Sequence, residues 1–116
     1  MAHSIADPPT QPLTESTFCI LAALSEPRHG YAVMQWVAEA TAGRVKLGPG
    51  TLYGALTGLQ DKGLIVPAGE REEGAERRKV YALTERGRSA LTAEVARLDG
   101  LHALGLRALE TLEDGR

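Results

Sequence analysis

Between Lys46 and Lys62 the chain reads Lys-Leu-Gly-Pro-Gly-Thr-Leu-Tyr-Gly-Ala-Leu-Thr-Gly-Leu-Gln-Asp-Lys, and this segment constrains the fold more than any other. Pro49 suits the first turn of a helix, where its missing N–H leaves no bond unmade. Leu52, Leu56 and Leu59, followed by Gly63, recur at helical spacing and predict one buried stripe. The opposite face carries Gly50, Thr51, Gly54, Thr57, Gly58 and Asp61. Solvated helices normally fill such positions with long charged side chains. A small, smooth face, uncharged apart from Asp61, instead suits close approach to another macromolecule. Lys46 and Lys62 stand near its ends, within reach of flanking phosphates. The segment is a candidate recognition helix.

Two helices are expected before it. Residues 1–12 hold three prolines and no apolar periodicity, which predicts a disordered arm. Thr14 is a good N-cap for a helix over 14–24, with Leu13 and Phe18 placed for a hydrophobic staple. That helix should bury Phe18, Leu21 and Leu24. It is apolar nearly all round, so it should meet more than one neighbour. A second helix is predicted from His29-Gly30 to Thr41, with Tyr31, Met34, Val37 and Ala38 inward, widened by Val33 and Trp36. Gly43 is the expected stop. His29 should help set the start of this helix. Helix, short turn, then a helix opening on proline is a helix-turn-helix order.

After Gly63, Leu64 to Pro67 opens a strand, the charged segment 69–78 carries Gly74 at the expected tip, and residues 80–83 form a return strand. A helix-turn-helix with such a hairpin is a winged helix. Thr84 should cap a last helix from 85 to 112, about 40 Å long and too long for a small domain to cover. Leu91, Val95, Leu98, Leu101, Ala108, Leu109 and Leu112 recur near a seven-residue repeat that asks for a partner helix. Gly100 and Gly105 should weaken or bend it. The fold class expected is therefore α+β, mostly α, a winged helix-turn-helix over 13–83 with a dimerising helix and tail over 84–116.

Net charge is −2, yet residues 44–88 carry +3 and the remainder −5, so the basic share gathers around the candidate helix and wing. The single cysteine, Cys19, excludes an internal disulfide and a cysteine-based zinc cluster, and its apolar setting marks a structural thiol. His3, His29 and His102 lack metal-ligand spacing, so neither metal nor cofactor is expected. No apolar run approaches the roughly 18 residues of a membrane span, and the N-terminus lacks a basic-then-apolar leader. A cytoplasmic protein without a membrane partner is expected. An enzyme is not, because no phosphate loop, nucleophile–base set or paired carboxylates in an apolar setting occur.

The motifs Leu-Thr-Glu-Ser-Thr-Phe at 13–18, His-Gly-Tyr at 29–31 and Gly-Pro-Gly-Thr-Leu-Tyr at 48–53 resemble the PadR-like transcriptional regulators. Gly-Leu-Ile at 63–65 and Arg-Lys-Val-Tyr-Ala-Leu-Thr-Glu-Arg-Gly at 78–87 extend the likeness over residues 13–98, in order and spacing. The short tail resembles the compact subgroup, which ends in one dimerising helix. The resemblance implies a homodimeric repressor on a palindromic operator in double-stranded DNA, with the third helix in the major groove and the wing on the backbone or minor groove. Carried over by position, Thr51, Tyr53 and Thr57 would face DNA beside Gly50, with Arg44, Lys46, Arg77, Arg78 and Lys79 on phosphate. The dimer interface would gather Leu91, Val95, Leu98, Leu101 and Leu109 with Phe18 and Leu21. A small aromatic or hydrophobic effector is also implied near that interface, where Trp36, otherwise a core residue, is the stacking candidate.

Two departures stand against a simple transfer. Glu70, Glu72, Glu73 and Glu76 make the wing acidic, and the recognition helix lacks the Arg and Asn best suited to bidentate base reading. Discrimination would then lean on threonines, Gln60 and DNA shape. A winged helix used only for protein–protein contact is the alternative, distinguished by the absence of salt-sensitive DNA affinity.

Overall fold

The computed structural model describes residues 11–115, so residues 1–10 of the expected arm lie outside it. In chain order the elements are α1 (Glu15–Ala23), β1 (Arg28–His29), α2 (Gly30–Ala40), α3 (Pro49–Asp61), β2 (Ile65–Glu73), β3 (Glu76–Leu83) and α4 (Glu85–Asp114). The expected winged helix-turn-helix is observed.

Thr14 caps α1 by accepting the Thr17 N–H at 3.1 Å. Ile20, Leu21 and Ala23 from α1 with its C-cap Leu24, Val33 and Val37 from α2, and Leu52, Leu56 and Leu59 from α3 close one core with Ile65 and Tyr81 of the sheet. Leu21 is completely buried in that core. It is therefore withdrawn from the expected dimer interface, because the α1 face it occupies is already packed inside the protomer. Phe18 stays half-buried.

The start of α2 follows expectation, with His29 Nδ1 accepting the Ala32 N–H at 3.1 Å. Its stripe holds at every expected position but one, with Met34 and Trp36 packed against the core and Ala38 half-buried. Val33 and Val37 are buried, whereas Tyr31 turns outward toward the wing. The stop also differs by one residue. Gly43 N–H reaches back to the Ala38 carbonyl at 2.7 Å and Ala42 N–H to Glu39, a Schellman closure that puts Ala42, not Gly43, at the left-handed C′ position. Ala42 has φ +53°. Ala42→Gly should accordingly raise stability by about 1 kcal/mol, read from denaturant midpoints, since a Cβ is disfavoured in that conformation. A midpoint unchanged or lowered would refute the assignment.

The hairpin is longer than expected, since most of the charged segment is itself strand. Glu70, Arg71, Glu72 and Glu73 face Lys79, Arg78, Arg77 and Glu76 in antiparallel register, around a tip at Gly74-Ala75. A register irregularity between Pro67 and Glu70 coincides with Gly69 at φ +97°, a conformation that glycine adopts freely. The two-residue strand β1, absent from the sequence-based expectation, pairs Arg28 with Tyr81 and His29 with Val80, giving the order β1-β3-β2.

Thr84 locks α4 to the strand opening. Its hydroxyl accepts the Gly87 N–H at 3.0 Å and donates to the Gly63 carbonyl at 2.7 Å, while its own N–H donates to Leu64. The helix runs unbroken through Gly100 and Gly105 to Asp114. Its first turns pack on the domain, with Gly87, Ala90 and Glu94 buried. Arg97 binds the Glu94 carboxylate with two nitrogens, at 2.9 and 2.5 Å. That guanidinium, followed by the Leu13 backbone amide, holds the Glu94 carboxyl below its ordinary pKa against the opposing effect of burial. The chain entering α1 is thereby tied to α4. Beyond Arg97 the helix leaves the domain, and the Cα radius of gyration, 17.3 Å, exceeds the roughly 13 Å of a compact chain this long.

Candidate nucleic-acid interface

α3 presents the surface its periodicity predicts. Gly50, Thr51, Gly54, Thr57 and Asp61 are exposed along one side, and Leu52, Leu56 and Leu59 are buried along the other. Gly48 occupies the N-cap without a side-chain bond to the helix, and Pro49 follows. The amides of Gly50 and Thr51 thus stand at an exposed, positively polarised helix end. Thr57 donates its hydroxyl proton to the Tyr53 carbonyl at 3.0 Å. It therefore offers an approaching base a methyl group and an acceptor oxygen, suited to a thymine methyl or a cytosine amino group. Tyr53 is 44% exposed, with the edge of its ring against Gly30. Lys46 and Lys62 are exposed at the two ends.

The wing sorts its cations into two classes. Arg77 lies 3.5 Å from Glu70 and 3.8 Å from Glu72, and Arg78 lies 3.2 Å from Glu73 and 3.1 Å from Glu76. Arg78 also covers the Tyr31 ring, its guanidinium carbon 5.3 Å from the centroid. The acidic residues therefore neutralise their neighbours across the hairpin, and Arg78 in particular is held as a structural cation, not as the open phosphate grip expected of it. Lys79, over the Tyr81 ring at 5.9 Å, and Arg71 have no carboxylate within 4 Å among the described residues. Arg71 went unnoticed in the sequence because its partner across the strand, Arg78, is set by register.

Arg44 does not join the α3 surface. It pairs with Glu15 at 2.6 Å on the α1 side, and this contact holds the Glu15 carboxyl below its ordinary pKa. Burial pushes the Cys19 thiol up, as a structural thiol requires. A groove of about 400 Å³ opens here, lined by Leu13, Phe18, Cys19, Arg44, Arg97 and Leu98 among others. Trp36 is not part of it. That indole is half-buried with the Arg28 guanidinium over its ring at 5.6 Å, which occupies the face a ligand would stack on.

Along the free part of α4, Val95, Leu98, Leu101, Leu104, Leu106, Leu109 and Leu112 are each 40–71% exposed. Leu91, by contrast, packs against the core. Among the described residues no helix is long and apolar enough to cross a membrane, and no group of metal-ligating side chains is found.

A family model described as "Transcriptional regulator PadR-like family" matches residues 20–93, the α1-to-α4 span that carries α3 and the wing. The chain belongs to the PadR-like family of transcriptional regulators. This PadR-like chain is 38% identical over 90 residues to an uncharacterised 37.1 kDa protein in a transposon of Streptomyces fradiae, covering 74% of the chain. It spans only 24% of that relative. A PadR family regulator from Eggerthella lenta superposes with a TM-score of 0.68 at 27% identity, over 83% of this chain and 82% of that one. A PadR-like transcription factor from Bacteroides fragilis gives 0.67 at 29%, over 80% and 88%. Bacillus subtilis PadR, whose structure is in complex with operator DNA, shares the fold with a TM-score of 0.60 at 24% identity, over 70% of this chain and 46% of that chain.

Proposed function

We propose that this PadR-like regulator acts as a homodimeric repressor that binds a palindromic operator through α3. The observation that carries this is the α3 surface itself, a small-residue and threonine face with an uncapped N-terminus, bracketed by Lys46 and Lys62. Backbone amides at such a terminus and the two lysines suit phosphates, while Thr51 and Thr57 suit base edges. The operator complex of the Bacillus subtilis relative supports the assignment. Division of labour follows, with residues 13–83 reading DNA and 84–116 pairing the subunits. Two-fold symmetry would set the recognition helices about 34 Å apart. The groove beside Phe18 and Leu98 is the place we assign to a small hydrophobic effector, since its size falls within the range of ligand sites.

Footprinting on DNA upstream of the chain's own gene tests the proposal, followed by affinity measurements across a salt series. Log affinity should fall linearly with log salt, and Arg71→Ala or Lys79→Ala should each reduce the slope by about 1. Arg78→Ala should leave the slope nearly unchanged, because that guanidinium is already spent on Glu73 and Glu76. No footprint and no salt response would favour a protein-interaction module.

A further inference from the structure

Three consecutive residues touch both parts of the DNA-facing surface. His29 is 3% exposed, and its Nδ1 is committed to the Ala32 N–H. The ring proton of the neutral imidazole therefore sits on Nε2, which lies 3.2 Å from Glu73 Oε2 near the far end of β2. Gly30 meets α3, for a Cβ there would lie 2.7–2.8 Å from the Tyr53 ring and hydroxyl. Tyr31 lies under Arg78 of β3, which holds the same Glu73 from the other side at 3.2 Å.

We propose that His29-Gly30-Tyr31 is the joint that sets the pitch of the wing relative to the recognition helix, with His29 and Tyr31 as positioning residues. The consequence for DNA rests on the function proposed above; the joint itself does not. His29 is too deeply buried to touch DNA, so it acts only through Glu73. The hydrogen bond spans 44 residues of sequence and fastens a hairpin whose distal half is otherwise solvent-exposed on all its residues except Arg78. Gly30 lets Tyr53 sit against the start of α2, so a change in one element is felt by the other. A wing fixed in this way loses less conformational freedom on binding.

Hydrogen exchange of the full chain without DNA tests the joint, using Glu73→Ala, an exposed substitution that leaves the core untouched, and His29→Asn. Asparagine keeps an N-cap acceptor but is too short to reach Glu73. Wing amides at 71–73 and 76–79 should exchange about tenfold faster in both variants, with α1 and α3 protection unchanged. Glu73→Gln, which retains an acceptor for the His29 N–H, should restore much of the protection. Unchanged wing exchange in Glu73→Ala would overturn the joint, and failure of Glu73→Gln to restore protection would remove His29 from it. On a fluorescein-labelled duplex from upstream of the gene, His29→Asn, which leaves every wing charge and the Glu73–Arg78 pair in place, should bind about tenfold more weakly with a smaller salt slope. Failure of the wild-type chain to bind that duplex would count against the proposed function, and the exchange result would still decide the joint.

Discussion

Gly87→Ala should lower the thermal midpoint by about 10 °C, one of the two largest effects expected of a substitution in this chain. Alanine is favoured over glycine in a helix by about 1 kcal/mol, so propensity alone predicts the opposite. At Gly87, however, a Cβ would run into the Leu64 carbonyl oxygen and lie 3.0 Å from its carbon and 3.2 Å from Leu83 Cδ2. Leu64 is backbone, already accepting the Thr84 N–H at 3.1 Å, and cannot turn aside like a flexible side chain. Relief requires α4 to lift from the strand opening, breaking the Thr84 contacts that seat it. Such overpacking costs about 3 kcal/mol, equivalent to roughly 10 °C in a domain of this size. Gly100→Ala supplies the control, since nothing lies within 4 Å of its Cβ position and it should stabilise the protein. Calorimetry showing Gly87→Ala within 2 °C of wild type would refute the account.

Under the dimer proposed above, the double substitution Leu101→Glu with Leu109→Glu should leave only monomers and abolish operator retention. Both leucines are more than half exposed in the isolated protomer, in a stripe with Leu98 and Val95 that lone-domain packing leaves in water. Contiguous apolar surface of that kind marks an interface. A symmetric pair would bury four such side chains, and removing them forfeits roughly 6 kcal/mol, about four powers of ten in the dimerisation constant. Sedimentation at micromolar concentration should show one species of monomer mass, while circular dichroism retains the α1–α3 and sheet signals. A double variant that remained dimeric would move the interface away from α4.

Much of the architecture was legible because its determinants are close together in the chain. Thr14 and Thr84 cap the helices that follow them, and His29 starts α2, because an N-cap acceptor needs only the amide two or three residues on. The leucines of α3 face inward because a 3.6-residue period leaves them no other common side. Smaller errors trace to ambiguity at that same range. Ala42 joined Gly43 in the left-handed region, φ +53° and +81°, where only the glycine was the natural candidate, and the polar wing concealed strands whose alternation is charged instead of apolar.

Spacing along the chain settles the helix-turn-helix, the hairpin tip, the outward face of α3 and the surplus apolar stripe of α4. It took the packed fold to make Leu21 core, to give Arg44 to Glu15, to set the wing glutamates against Arg77 and Arg78, and to require a bare Gly87. Those outcomes depend on which residues register and packing bring within a few ångströms, and contact energies at that range are invisible to local periodicity.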